Sequence, residues 1–395
     1  MHEAAFVSAA EAAALLGVKL TTLYAYASRG LVKSRGPSRT EGHFYDRADI
    51  ERLVARSRAR KGHTAVAASA LRWGEPVLDS AITAIDERGP RFRGHLATEL
   101  VEQGRSFEEA AELLWTGTLP ARVPRWSEGR PVTRRPTPDR PLATLFGVLA
   151  SAAAEEPFQA MDRGAELGRA RALLVRIARH LGPRPVRRAP SVAATVVRAL
   201  GLAPGAEIIR AVDTALILLA DHELNVSSFA ARVTASAGAG LVASWLSGFA
   251  ALTGTRHGGA SSVVEAWVRD VGSVARVPRA IARATARGGV MEGFRHTLYP
   301  GGDPRAEPLL ALARRIDGKN ASVRVIDAAI RRLAPRGGHP NVDVGLAALG
   351  AAIGAPPGTG TLLFAVGRSA GWVAHILEQR DAGYLLRPRA RYVGP

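Results

Sequence analysis

The sequence predicts an all-α body behind a small N-terminal module of short helices and a β-wing. Three observations carry this. Alanine-, leucine- and valine-rich runs from Pro141 to Ala220 break only at Glu156-Pro157, Gly182-Pro183 and Ala203-Pro204-Gly205, which is helix punctuation. Alternating strand patterns are scarce along the chain. The N-terminus opens on Ser8-Ala9-Ala10-Glu11, a capping box in which hydroxyl and carboxylate satisfy free helix amides.

In chain order, Ala9, Ala12, Ala13 and Leu16 form one helical stripe that Gly17 ends, and a second helix runs from about Lys19 to Arg29. Leu31-Val32, the Gly36-Pro37-Ser38 turn and His43-Phe44-Tyr45 suggest the wing, and Asp46 caps a third helix to about Arg60. Residues 58–70 read as a linker, and the body starts at Leu71. Phe107 to Trp115 is an amphipathic helix stopped by Gly117 and Pro120, and the proline- and arginine-rich stretch 121–140 reads as an exposed connection. No internal repeat is evident.

The chain of 395 residues, 47% hydrophobic, can bury a substantial core in two or three domains. It has no cysteine, which excludes disulfides, thiolate chemistry and cysteine-held zinc. No apolar run is long enough to span a bilayer and no signal-peptide pattern opens the chain, so a cytoplasmic protein is expected. The net charge of +18 divides into +5 for residues 1–62 and +13 for the rest, almost all of it arginine. Such charge serves either as solvated basic faces or as an attractor for polyanionic substrates.

Chemistry concentrates in four short segments: Asp221-His222-Glu223-Leu224-Asn225, Thr255-Arg256-His257-Gly258-Gly259-Ala260, Gly293-Phe294-Arg295-His296 and Asn341-Val342-Asp343. Three imidazoles and a carboxylate suit proton abstraction beside a carbonyl, with donors holding the developing oxyanion. Taken singly, each residue has a plainer use. His222 could be a structural hydrogen-bonder near a helix start, Asp343 an N-cap, and the arginines surface ion pairs. No metal-ligand spacing is present.

Together with His296-x-Leu298-Tyr299-Pro300-Gly301-Gly302-Asp303-Pro304-Arg305-Ala306 and Phe364-Ala365-Val366-Gly367-Arg368-Ser369-Ala370-Gly371-Trp372, these segments resemble the citrate synthase family over roughly residues 70–395. Asp79 to His95 likewise resembles the short β-meander that opens its members. The resemblance implies a two-lobed fold, with a large lobe at 63–257 and 349–395, a small lobe at 258–348, and a cleft that closes over substrates. It also implies roles. Asp343 is the base that takes a proton from the acetyl methyl group of acetyl-CoA, and His257 holds the thioester oxygen. His296 protonates the carbonyl of oxaloacetate, while His222, Arg305, Arg368 and Arg387 bind it, Arg387 reaching across a homodimer. No cofactor beyond the coenzyme A thioester is implied. Residues 6–61 resemble the MerR-like helix-turn-helix family, which implies Thr21, Thr22, Tyr24 and Tyr26 facing a DNA groove, with Lys33, Arg35 and Arg39 on phosphates. The alternative for this module is a docking or pairing piece.

This chain departs from the family pattern at three places. Arg295 stands where the family usually has glycine, beside coenzyme A, and either adds a phosphate contact or obstructs the thioester arm. Val344 replaces the aromatic that follows the catalytic aspartate, and Ser261 replaces a common asparagine. Two rivals stay open: a 2-methylcitrate synthase that takes propionyl-CoA, and a DNA-binding sensor of citrate or acyl-CoA.

Overall fold

The computed structural model describes residues 6–28, 32–35, 43–47, 49–50, 78–127, 140–156, 162–254, 257–286, 291–388, 392 and 394. They fall into two compact units, one within 1–79 and 389–395, the other within Ser80–Pro388.

In the first unit, β1 (Phe6–Ser8), α1 (Ala9–Leu16), α2 (Leu20–Ser28), β2 (Ser34–Arg35) and β3 (Phe44–Asp46) surround a core of Val7, Ala12, Ala13, Leu16, Leu23, Val32, Tyr45 and Ile50. The capping box forms as expected: the Glu11 amide donates to Ser8 Oγ at 3.3 Å, and the Ser8 amide donates to Glu11 Oε2 at 3.0 Å. The wing is an antiparallel sheet of order β1-β3-β2, pairing Val7 with Tyr45 and Ser34 with Tyr45. Its first strand was not expected, and the wing's second lies past Leu31-Val32 because Val32 turns into the core. The Asp49 amide donates to Asp46 Oδ1 at 3.0 Å, an N-cap bond. The rest of the expected third helix and the linker at 58–70 lie outside the described residues.

The second unit opens with the meander β4 (Thr83–Asp86), β5 (Gly89–Phe92) and β6 (His95–Leu96), and is helical from there on. Helices α3 (Ala97–Glu102), α4 (Phe107–Thr116), α5 (Pro141–Ala154), α6 (Arg163–Arg179), α7 (Val192–Ala199), α8 (Ala206–Leu219), α9 (Val226–Ser236) and α10 (Leu241–Leu252) pack the main core. A second core is built by α11 (Ala260–Val271), α12 (Val277–Thr285), α13 (Ala306–Asp317), α14 (Ala321–Leu333) and α15 (Val342–Ala352). Helix α16 (Thr359–Ala382) is buried on all sides from Thr359 to Leu377 and threads the main core, as expected of a helix that lacks a polar face.

Two expectations are corrected. The glutamate side of α4 is covered as well as its apolar side, because each carboxylate has partners: Glu112 takes Arg171 at 2.6 and 2.8 Å, Glu109 closes a capping box on Ser106, and Glu108 accepts the Val192 amide at 2.7 Å. The connection after α4 is not wholly exposed. Trp126 is buried, stacks on Trp115 at 5.3 Å between ring centroids, and donates to Glu112 Oε1 at 2.9 Å. Residues 128–139 lie outside the described residues.

Candidate active site

Close crossing of α16 over the end of α8 brings the first groups together. The Gly371 amide donates to Ala220 O at 2.9 Å, and a Cβ at Gly371 would lie 2.2 Å from Asp221 Oδ1. Only glycine permits that approach. One turn earlier on α16, Arg368 donates from Nε to Leu219 O at 2.9 Å, a cation on the carbonyl end of α8. Its Nη2 is buried without an acceptor among the described residues, and burial lowers the Arg368 pKa to about 10, leaving it charged at neutral pH. Asp221 and His375 form a fully buried pair at 3.3 Å beneath this crossing. Burial alone would raise the Asp221 pKa, but His375 and Arg368 hold it below the usual carboxylate value.

His222 follows α8 and meets the loop that carries His296. Its Nε2 lies 2.9 Å from the Tyr299 hydroxyl, and its ring is 5.3 Å from that of His296, edge to face. Burial, then Arg305 and Arg368, hold His222 well below the usual histidine pKa. His296 is lowered by burial and then by Arg305. Its Nδ1 accepts the Leu298 amide at 3.2 Å, so the neutral ring carries its proton on Nε2.

Arg305 enters the same cluster with most of its fork engaged. Nε and Nη2 grip Asp303 at 2.9 and 2.8 Å, a bidentate pair buried on both sides. Asp303 Oδ2 also accepts the Val342 amide at 3.0 Å, tying the arginine turn to the start of α15. The Asn341 amide donates to Gly293 O at 2.8 Å; Gly293 has φ +84°, and a Cβ there would lie 2.7 Å from Val264 and Val344. These bonds fix Asp343 in the first turn of α15. Its Oδ1 accepts Ser261 Oγ at 2.5 Å and its Oδ2 accepts Asn341 Nδ2 at 3.2 Å, while burial pushes its pKa up to about 6.

His257 stands at the start of α11, with its ring 5.8 Å from Phe364 and its Nε2 2.8 Å from Ser227 Oγ. Trp372 Nε1 donates to the same hydroxyl at 3.0 Å. Burial, then Arg368, lower the His257 pKa to about 4, so the ring is neutral at physiological pH. Thr255 and Arg256, on its N-terminal side, lie outside the described residues.

His222, His257, His296, Asp343, Arg305 and Arg368 are thus linked through bonds, ring contacts and mutual electrostatic influence. Arg387 is exposed on the tail after α16, and Arg295 is exposed beside His296; neither has a bond to this cluster. Among the described residues no His, Asp and Glu side chains converge as a metal site, and no helix is long and apolar enough to cross a membrane. In the N-terminal unit Thr21 and Tyr24 are exposed on α2, Thr22 is half-buried, Arg35 lies in β2, and Arg39 falls outside the described residues. Sequence reasoning passed over Tyr299, Asp303 and Ser227, although Asp303 and Tyr299 lie inside a motif it singled out.

Comparison with known proteins decides the family. Residues 70–389 match the family described as citrate synthase, C-terminal domain, and residues 7–63 match MerR HTH family regulatory proteins. The chain belongs to the citrate synthase family. It is 36% identical over 191 residues to "Citrate synthase 2" of Bacillus subtilis (strain 168), covering 47% of this chain and 51% of that one. Against the citrate synthase of Haloferax volcanii, identity is 36% over 199 residues, 49% and 52% of the two chains. The chain thus spans about half the length of these two relatives. With the citrate synthase of Saccharolobus solfataricus, identity is 30% over 354 residues, 80% of this chain and 93% of the other. Citrate synthase of Thermoplasma acidophilum, solved in ternary complex with carboxymethyl coenzyme A and oxaloacetate, superposes with TM-score 0.69 at 26% identity, over 81% of this chain and 94% of that one. Citrate synthases are acyltransferases that need no cofactor beyond their substrates.

Proposed function

We propose that the chain is an acyltransferase that condenses acetyl-CoA with oxaloacetate and releases citrate and coenzyme A. The observation that carries this reading is the buried Arg368 Nη2, which has no acceptor among the described residues and stands among a second buried arginine and three neutral imidazoles. A carboxylate is the natural partner of such a group.

In this mechanism ionised Asp343 removes a proton from the acetyl methyl group while His257 donates to the thioester oxygen, and the enol forms. That donation needs a proton on His257 Nδ1; in this tautomer Nε2 accepts a hydrogen bond from the Ser227 hydroxyl, which turns to it from Asn225 Oδ1, 2.7 Å away. The enol carbon attacks the ketone carbon of oxaloacetate, and His296 delivers its Nε2 proton to the oxygen that becomes the citryl hydroxyl. Water then cleaves the thioester, giving the third carboxylate of citrate and the free thiol. His222, Arg305 and Arg368 hold the diacid, and Arg387 completes the grip from a partner subunit of a homodimer. Closure of a lobe at 258–348 against one at 63–257 and 349–395 excludes water until the carbon–carbon bond is made. Arg295, exposed at the rim, suits a phosphate of coenzyme A.

Thiol release from oxaloacetate plus acetyl-CoA tests the reading, with propionyl-CoA in parallel to detect a 2-methylcitrate synthase. Asp343→Ala should abolish release yet leave oxaloacetate binding largely intact. The match of residues 7–63 to MerR-type regulators and the exposed Thr21 and Tyr24 favour DNA as a second partner. Zero release by the native chain, with tight salt-dependent binding to a palindromic duplex, would replace the enzyme by a sensor.

A further inference from the structure

Tyr299 is the member of the cluster that the mechanism above leaves without a task. Its ring lies 4.8 Å from that of His296 and 5.6 Å from that of His222, Arg305 Cζ stands 5.8 Å from its centre, and its hydroxyl is 2.9 Å from His222 Nε2. We propose that Tyr299 is a positioning residue that sets the tautomer of His222: the phenol donates to Nε2, so the imidazole carries its own proton on Nδ1 and offers that N–H to the anionic substrate. The substrate's identity rests on the function proposed above; the tautomer does not.

Proton accounting supports this assignment. Burial and two arginines keep His222 neutral, so the ring has one N–H to place. Burial also raises the Tyr299 pKa, which keeps the phenol protonated. If Nε2–H donated to the phenol oxygen, the phenol proton would need a further acceptor, and among the described residues the hydroxyl bonds to nothing but His222. With the phenol as donor, every proton between the two rings has an acceptor. His222 Nδ1 has no protein partner among the described residues, so it is the ring atom left for a ligand. A lone pair there would repel a carboxylate or keto oxygen, whereas an N–H attracts it.

The test is carried out on the full ligand-free chain with 15N-labelled histidine. Long-range proton–nitrogen correlation reports which ring nitrogen is protonated, and the His222 signals are identified by their loss in His222→Gln. The expected native result is a neutral ring protonated on Nδ1. In Tyr299→Phe the proton should shift toward Nε2, and calorimetric affinity for oxaloacetate should fall about tenfold at unchanged melting temperature. A native His222 protonated on Nε2 overturns the proposal, and this measurement suffices even if the Phe variant fails to fold. A variant in which the tautomer stays put, or in which it switches with no change in affinity, overturns it as well. A native chain that shows the Nδ1 tautomer and its switch but never binds oxaloacetate supports Tyr299 as tautomer setter and removes the substrate reading instead.

Discussion

Ser261 Oγ donates to Asp343 Oδ1 at 2.5 Å, so a side chain of α11 grips the carboxylate that the first turn of α15 carries. Asn341 holds the other oxygen, and the two bonds together aim the carboxylate. Burial raises the Asp343 pKa to about 6, the Ser261 bond and Arg305 oppose the rise, and Asp303 and Glu292 add to it. As the proposed base, Asp343 works only when ionised, so activity should climb as pH rises through about 6. Ser261→Ala removes an opposing bond. We expect the acid limb of kcat/KM to move to higher pH and kcat to fall about tenfold, with Ser261→Asn restoring much of both through its amide donor. Thiol release measured across pH checks this; an unmoved limb would mean that Ser261 does not govern the base.

Arg368 should not tolerate lysine. Its Nε is spent on Leu219 O, and its planar fork also carries a buried Nη2 that has no acceptor among the described residues. A lysine ammonium cannot satisfy the carbonyl and present a fork to a carboxylate at the same time. Arg368→Lys is expected to raise KM for oxaloacetate about 100-fold, with little change in melting temperature. Steady-state kinetics at saturating acetyl-CoA separate this from a loss of kcat.

Much of the site was legible because its residues sit in short motifs next to glycine, asparagine or proline. At α15 the capping role considered for Asp343 falls instead to Asn341, two residues earlier, whose Oδ1 accepts the Asp343 amide at 3.0 Å. What escaped was partnership between segments far apart in the chain. Nothing local to Asp303 says that one of its oxygens will reach the Val342 amide, and nothing local to Tyr299 says that it will meet His222. Trp126 escaped for the opposite reason. Its proline- and arginine-rich neighbours read as surface, and a single aromatic outweighs them once Trp115 offers it a face.

The crossing at Gly371 should be intolerant of any side chain. A Cβ there meets Asp221 Oδ1 at 2.2 Å and Ala220 O at 2.6 Å, both in a buried segment that cannot give way cheaply. Gly371→Ala should cost on the order of 2–4 kcal/mol and shift Asp221 and His222 away from the cluster. Thermal unfolding would show the loss, and weakened oxaloacetate binding at temperatures where the variant is folded would show the displacement. Alanine at Gly350, where a Cβ has open space, is the control expected to have little effect.

On α8, Asp213 should make stability depend on pH. Its Oδ1 accepts the Phe107 amide at 3.0 Å at the start of α4, and burial, then the neighbouring Glu108, push its pKa up to about 7. The Glu108 pKa is itself raised by burial, with Oε2 buried and without a partner among the described residues. A carboxyl whose folded pKa lies above its unfolded value stabilises fully below the unfolded value and loses that contribution as pH rises through the folded one. For Asp213 the window runs from about 4 to about 7. Asp213→Asn keeps an oxygen for the Phe107 amide and never ionises. It should match the native chain near pH 4 and melt higher above pH 7, by an amount on the order of a few kcal/mol. Melting curves of both proteins at pH 5 and 8 measure the difference, and a gap that does not widen with pH would show that Asp213 is already ionised in the folded core.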